Sequence, residues 1–253
     1  MKKKGFVDLH CHTIFSDGGM LPAGLMQRAI VRGCMGLAIT DHVDSSNYEF
    51  VLSRILQFVQ ELGDQWHLGT IPGPEATSAP TSKLSPDEVG DDWHMPVFAG
   101  LELTSVPPRK IAPIAERARA LGAEWIVVHG ETLMEPVAPG TNRAAIEAQV
   151  DLLAHPGIIT KEDASRAAQL GVYLEITTHR GHCLGNGCVA QRAREVGAKL
   201  LVNTDCHISA DILDTNQRRA IALGAGLTSE EVDQIWENGR RAVEELLKNR
   251  SSR

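Results

Sequence analysis

Seven short apolar runs in this chain each end at residues that can bind a metal ion. They are Leu9-His10, Thr40-Asp41-His42, Leu101-Glu102, Val128-His129, Ala154-His155, Leu174-Glu175 and Thr204-Asp205-Cys206-His207. Imidazole nitrogens and carboxylate oxygens are the ligands of hydrolytic centres that use zinc, manganese or iron. A single ligand-type residue after a strand is usually an ordinary surface side chain. Seven of them predict a centre for more than one metal ion.

The clearest single motif is the pair His10 and His12. Residues at i and i+2 of an extended strand point to the same side, so both imidazoles can bind one ion. Asp205 and His207 repeat this spacing near the end of the chain. Paired histidines also occur on ordinary strands, so neither motif identifies a metal site by itself.

Other ligand-type residues stand beside turn formers or acidic neighbours. Asp17 lies in the turn Ser16-Asp17-Gly18-Gly19, and His129 and His155 are followed by Gly130 and Pro156. Asp41 precedes His42, and a carboxylate in this position often orients a metal ligand. We predict that the catalytic residues are His10, His12, Asp41 and Asp205.

A parallel β/α barrel would bring these residues together, because all its strands end at one mouth. Buried strands are predicted at 6–10, 36–40, 97–103, 125–128, 150–154, 172–176 and 200–203, with helical periodicity between several of them. In the last helix, Thr228 and Glu231 have the spacing of a capping box. A length of 253 residues suits one such domain, 1–253.

The stretch 63–96 interrupts this alternation and predicts a long loop insertion. It carries Gly73-Pro74-Glu75-Ala76-Thr77-Ser78, which echoes Gly100-Leu101-Glu102-Leu103-Thr104-Ser105. Two glutamates therefore compete for one role. We favour Glu102 as the metal ligand, because 97–103 has the pattern of a buried strand whereas a Pro- and Ser-rich run follows Glu75.

Composition excludes some classes of protein. The net charge is −7 and only 4% of residues are aromatic, which argues against a nucleic-acid platform. No apolar run approaches the roughly 20 residues of a membrane span, and no signal core follows Met1. The five cysteines are scattered and are expected to be free thiols. We expect a cytoplasmic protein that does not act at a membrane.

The order of these motifs resembles the polymerase and histidinol phosphatase (PHP) family of metal-dependent phosphoesterases. The resemblance extends from Asp8-Leu9-His10-Cys11-His12, through Asp41-His42, Glu102, His129 and His155, to Asp205-Cys206-His207. It implies a distorted (β/α)7 TIM-like barrel with two or three divalent transition metals at its C-terminal mouth. The implied cofactors are Zn, Mn or Fe.

The resemblance also implies which residues bind each ion. His10, His12, Glu102 and Asp205 would hold the first metal. Glu102 would bridge to a second, held by His129 and His155. Asp17, His42 and His207 would hold a third. Many relatives have His where Asp17 stands.

This ligand set predicts hydrolysis of a small phosphate ester by metal-activated water, without a covalent intermediate on Ser or Cys. Arg180 is a candidate for binding the phosphate, as a bidentate donor. Glu175 is expected to support the ligands, and the loop histidines His179 and His182 are weaker candidates for the site. The substrate is expected to resemble histidinol phosphate.

Three alternatives stay open at this point. An amidohydrolase-like enzyme also has paired histidines on its first strand, but a two-metal version often uses a carbamylated lysine, and Lys110 and Lys161 lie beyond the predicted strand ends. A PHP-type exonuclease would need a strand-binding groove with stacking aromatics. A non-catalytic metal-binding domain would not need so complete a set of ligands.

Overall fold

The computed structural model describes residues 5–62 and 95–252. Most of the predicted insertion 63–96, including Glu75, lies outside the described residues. The strands are β1 (Phe6–Asp8), β2 (Cys34–Ile39), β3 (His42–Val43), β4 (Val97–Leu103), β5 (Trp125–His129), β6 (Leu152–Ala154), β7 (Tyr173–Thr177) and β8 (Leu200–Asn203). The α-helices are α1 (Pro22–Val31), α2 (Tyr48–Leu62), α3 (Pro108–Ala120), α4 (Thr141–Glu147), α5 (Lys161–Leu170), α6 (Asn186–Val196), α7 (Thr215–Gly224) and α8 (Ser229–Ser251).

All the strands belong to one parallel sheet. Its order is β1-β2-β4-β5-β6-β7-β8, and the two-residue β3 pairs with β4. Consecutive strands are therefore neighbours, with helices between them, and the seven strands of the main path nearly close into a barrel. This confirms the predicted (β/α)7 TIM-like barrel. All the strands run the same way, so their carboxyl ends meet at one mouth.

Side chains, rather than a regular ladder, join β1 to β8 and complete the barrel. The Leu9 amide donates to Asn203 Oδ1 at 2.9 Å, and the Thr204 amide donates to Asp8 Oδ1 at 3.0 Å. We call this junction the seam. An isolated parallel bridge between the two cysteines Cys11 and Cys206 extends it toward the mouth.

A buried arginine of α7 supports the seam. The Arg218 side chain is fully buried, and its guanidinium donates to the Asp8 carboxylate and, at 3.2 Å, to the Val202 carbonyl oxygen. It also lies 3.8 Å from the ring centroid of Phe6. One cation thus connects both edge strands of the sheet.

Helix α8 closes the opposite, N-terminal end of the barrel. Asn238 Nδ2 donates to the Leu200 carbonyl oxygen at 3.0 Å, and Arg250 donates to the Val97 carbonyl oxygen at 2.7 Å. The helix begins with the predicted capping box between Thr228 and Glu231. Within the described ranges, no helix combines the length and apolar character needed to cross a membrane.

Candidate metal centre

Histidines converge at the C-terminal mouth of the barrel. The sequence has ten, and all eight in the described residues form one cluster of neighbouring rings, with centroids 4.2–6.1 Å apart. They are His10, His12, His42, His129, His155, His179, His182 and His207. Strand ends position the first five, because each follows or ends a buried strand.

Glu102 lies at the centre of this cluster. It is the sixth residue of β4 and is fully buried. Its carboxylate oxygens lie within 3.7 Å of a ring nitrogen of five histidines, namely His10, His12, His42, His129 and His155. The structure therefore brings together the residues that the sequence assigned to the first and second ions.

Asp205 lies beside Glu102, just after β8. Its Oδ1 is 3.1 Å from His12 Nε2 and 3.6 Å from His10 Nε2, and its Oδ2 is 3.7 Å from His155 Nε2. The backbones of Asp205 and His155 have positive φ angles of 50° and 26°. This conformation costs a non-glycine residue about 1–3 kcal/mol, so the surrounding structure must hold both ligand-type side chains in place.

A more exposed group contains the residues predicted for the third ion. Asp17 Oδ1 lies 3.3 Å from His207 Nε2 and 3.7 Å from His42 Nε2. Together with His12, these residues place one donor atom each within 4.8 Å of one another. A hydrogen bond from His207 lowers the pKa of Asp17, which is therefore ionised at neutral pH.

Hydrogen bonds outside the cluster orient two of the rings. His10 Nδ1 lies 2.8 Å from Glu175 Oε1, and Asn203 Nδ2 and the His155 amide hold the same carboxylate. His207 Nδ1 donates to the Asp205 carbonyl oxygen at 2.9 Å. Because ionised carboxylates and carbonyls only accept, each Nδ1 carries a proton and each Nε2 is turned toward the cluster. The expected supporting role of Glu175 agrees with these contacts.

Many polar atoms of the cluster have no hydrogen-bond partner. Of the eleven buried side-chain nitrogen and oxygen atoms without a partner in the described residues, nine belong here. They are His10 Nε2, both ring nitrogens of His12 and of His129, both oxygens of Glu102, His155 Nδ1 and Asp205 Oδ1. Burial of such atoms is costly. A set of imidazole nitrogens and carboxylate oxygens suits divalent transition metals, so these residues fit the ions that the resemblance implies.

The charges of the cluster compensate one another. Burial raises the pKa of Glu102 and of Asp205, but nearby histidines, His10 first, hold both pKa values well below their usual range. Burial lowers the pKa of His12 to about 4 and lowers that of His155. At neutral pH these two rings are neutral, the form that binds cations.

Asp41 does not join the cluster. Its Oδ1 accepts hydrogen bonds from the Thr13 amide and from Ser16 Oγ, and its Oδ2 accepts one from Thr13 Oγ1, each at 2.7 Å. The carboxylate therefore organises the loop that carries Asp17. These contacts support a positioning role for Asp41, and its catalytic role stays a prediction.

The remaining predicted residue, Arg180, is exposed on the loop after β7. A cavity of about 590 Å³ opens above the cluster, and its lining includes Ser16, Asn47, Thr104, Glu135, His179 and His182. Arg180 is not among the described residues that line it. The structure thus gives no support to a phosphate contact by this side chain.

Residues of two loops contribute more than the sequence indicated. His182 was a weak candidate, yet its ring is buried and stacks on His155 with centroids 4.3 Å apart. Glu135, which had no recognisable signal, lies 3.3 Å from His129 Nε2. The run His179-Arg180-Gly181-His182 directly after a strand end was the available signal for this side of the site.

Solved structures share the fold of this chain. A histidinol phosphate phosphatase from Lactococcus lactis, determined with zinc, L-histidinol and phosphate, has 16% identity and a TM-score of 0.55, covering 88% of this chain and 94% of its own. A chain of an archaeal ribonuclease P complex with mature tRNA has 15% identity and a TM-score of 0.57, with 90% of each chain covered. An amidohydrolase has 15% identity and a TM-score of 0.55, covering 96% and 74%.

Sequence comparison identifies a nearer relative. No family model matches the chain. An uncharacterized protein from Methanocaldococcus jannaschii, MJ1295, is 42% identical over 228 residues, which are 89% of this chain and 92% of the relative. At this identity and coverage, the chain belongs to the same protein family as the Methanocaldococcus jannaschii protein.

Proposed function

We propose that this protein is a metal-dependent phosphoesterase of the PHP family that hydrolyses a small phosphomonoester. The observation that carries the proposal is the set of nine buried, unpartnered nitrogen and oxygen atoms at the mouth of the barrel. Cations would satisfy the atoms of this set that carry free lone pairs, and the Lactococcus lactis phosphatase with the same fold was determined with zinc and phosphate.

The proposed ions are two or three of Zn, Mn or Fe. His10, His12, Glu102 and Asp205 would hold the first, and Glu102, His129 and His155 the second; Asp17, His42 and His207 would hold the third. When bound, such ions activate water and offset the negative charge of a phosphoryl group.

The chain itself supplies the side chains that position the substrate. The described lining of the cavity has no lysine or arginine, so a phosphate there would depend on the bound ions for positive charge. Asn47 and His179 are among the polar side chains of the lining able to donate hydrogen bonds to its outer oxygens. Substrate binding and catalysis should therefore be lost together when the metal is removed.

An amidohydrolase with a bridging lysine is a poorer match to the site. Glu102 and His129 occupy the ends of β4 and β5, whereas Lys110 lies on α3 and Lys161 begins α5. Both lysines are exposed, and neither is among the described residues that line the cavity. A carboxylate would instead bridge the ions, as the phosphoesterase proposal requires.

The proposal can be tested by elemental analysis followed by a substrate panel. The purified protein should contain two or three transition-metal ions per chain. It should hydrolyse aryl phosphate and phosphomonoesters such as histidinol phosphate, but not a single-stranded oligonucleotide or amide substrates. Fewer than one ion per chain, not recovered by adding Zn or Mn, would refute the proposal. Hydrolysis of only the oligonucleotide would indicate the exonuclease alternative.

A further inference from the structure

We propose that His182, on the loop after β7, is an additional ligand for the ion on the His155 side of the centre. This inference rests on the proposed metal dependence. It adds a residue outside the strand ends that supply most of the proposed ligands. The support comes from ring orientation, from the packing of three loops and from contrast with the neighbouring His179.

The ring of His182 is held at one of its two nitrogens. Its Nδ1 lies 2.7 Å from Thr132 Oγ1, which leaves Nε2 available for a cation. His155, His182 and Asp205 place one donor atom each within 4.8 Å of one another. Glu135 Oε1 lies 3.7 Å from His182 Nε2, too far for a hydrogen bond, so no carboxylate of the residues that the structure describes satisfies this nitrogen directly.

Packing of three loops fixes this arrangement. A Cβ at Gly185 would lie 2.8 Å from the Cα of Gly157, and a Cβ at Gly157 would lie 2.0 Å from the Glu131 carbonyl oxygen. The backbones after β5, β6 and β7 therefore touch one another directly. This contact fixes the positions of Thr132, His155 and His182 relative to one another.

His179 lacks these properties, although it lies on the same loop. Its Nδ1 accepts a hydrogen bond from the Gly181 amide at 3.2 Å, and its side chain is 27% exposed. Its distance from Asp205 Oδ2, measured from the same nitrogen, is 3.9 Å. Of the two loop histidines, His182 is the one whose side chain is buried and whose ring is oriented by another side chain.

The test is metal binding by the full chain, independent of activity. Protein freed of metal would be titrated with Zn²⁺ in competition with a chromophoric chelator. We expect His182→Ala to weaken one site by roughly 100-fold or more, because loss of a residue that merely orients a ligand already costs about 10–100-fold. With Co²⁺ in place of Zn²⁺, the visible spectrum should change, since the number or type of ligands changes.

Two further variants separate ligation from folding. Thr132→Val removes the hydroxyl that orients His182 and should weaken the same site by roughly 10-fold, whereas Thr132→Ser should retain wild-type affinity. Leu184→Ala, at an exposed residue of the same loop, should also bind like the wild type. If His182→Ala does not fold, the Thr132 pair decides the question.

Wild-type affinity and an unchanged Co²⁺ spectrum in His182→Ala would overturn this inference while leaving the proposed function intact. Equal affinities of Thr132→Val and Thr132→Ser would also overturn it. If the wild-type protein itself binds less than one ion, the proposed function fails instead, so the two failures can be distinguished.

Discussion

Glu102 is surrounded by five histidines, and neither of its oxygens has a hydrogen-bond partner in the described part of the chain. The position is fully buried, so its negative charge must be balanced by its neighbours. In the proposed centre, this carboxylate would be a ligand of two ions. It is therefore the single residue on which the metal content should depend most.

Glu102→Gln should remove at least one ion per chain and lower activity by several orders of magnitude. The amide keeps the shape of the side chain but loses its charge and one acceptor oxygen. Elemental analysis and phosphatase assays would measure both effects. Glu75→Gln serves as the control and should resemble the wild type. If Glu75→Gln is the variant that loses metal, the ligand assignment is wrong.

Asp41→Ala should weaken the group around Asp17 while sparing the ions at Glu102. The variant leaves Thr13 and Ser16 without the carboxylate that accepts their three hydrogen bonds. Bonds to a charged group contribute about 1.5–3 kcal/mol each at most, so we expect a loss of several kcal/mol and of one ion. Urea unfolding and metal analysis would measure these losses. Unchanged metal content would argue against the positioning role.

Residue types and spacing allowed the strand-end ligands to be predicted, because period-two geometry and parallel strands determine where such side chains meet. They could not place the Asp41 carboxylate. An acidic residue beside a ligand can face the metal or the adjacent loop. Here the Thr13 amide and the Ser16 hydroxyl donate to the Asp41 carboxylate, which therefore faces the loop. Glu135 lies on a loop, and its position near His129 follows from no strand or helix periodicity in the sequence.

At the scale of elements, alternation along a strand separates ligands from core. His10 and His12 face the mouth, while Cys11 between them is buried in the hydrophobic core. Cys206 has the same relation to Asp205 and His207. Burial raises the pKa of Cys34 to about 12 and also raises that of Cys206. These thiols should be inert in the folded protein.

Titration with a thiol reagent tests this arrangement. In the native protein, we expect only Cys183 and Cys188 to react, because the other three of the five cysteines are buried; all five should react in denaturant. Cys11→Ala and Cys206→Ala should keep most of the activity and lose roughly 1–2 kcal/mol of stability. Loss of activity in folded Cys11→Ala would point to a chemical role for this thiol.

The seven strands of the main path and the capping box of α8 were predictable, since buried apolar runs and local capping residues determine them. The two-residue β3 was not predicted. The closing of the barrel floor by α8 was not, because it depends on long-range contacts such as that of Asn238 with the Leu200 carbonyl. The loop after β7 was likewise beyond prediction. Its course depends on the backbone contact between Gly185 and Gly157.

At the scale of the whole molecule, closure of the barrel at the seam depends on a buried charged side chain, Arg218. Arg218 of α7 and Asp8 of β1 form a fully buried ion pair at the seam, and Thr204 adds two hydrogen bonds to the same carboxylate. Removing one partner of a buried pair strands the other charge in the interior. The closure of the sheet should therefore be sensitive to this one arginine.

Arg218→Met should destabilise the fold by about 3–5 kcal/mol, because Asp8 would remain buried without a cation. Arg219→Met is the matched control: the adjacent arginine pairs with exposed Asp233 and should contribute about 0–1 kcal/mol. Denaturant unfolding of both variants would measure the difference. Equal stabilities would show that the seam does not need the buried pair.

His155 and Asp205 have left-handed backbone conformations. At these two positions, the residue that best fits the backbone differs from the residue that the proposed centre needs. Glycine would adopt these φ angles without strain, yet it has no side chain to offer a metal. Selection for fold alone would favour glycine there, whereas the proposed metal centre requires a histidine and an aspartate. In metal-free protein, His155→Gly should therefore melt at or above the wild-type temperature although it is inactive. A search for stabilising substitutions in this family would then select variants that lack the proposed metal ligands His155 and Asp205.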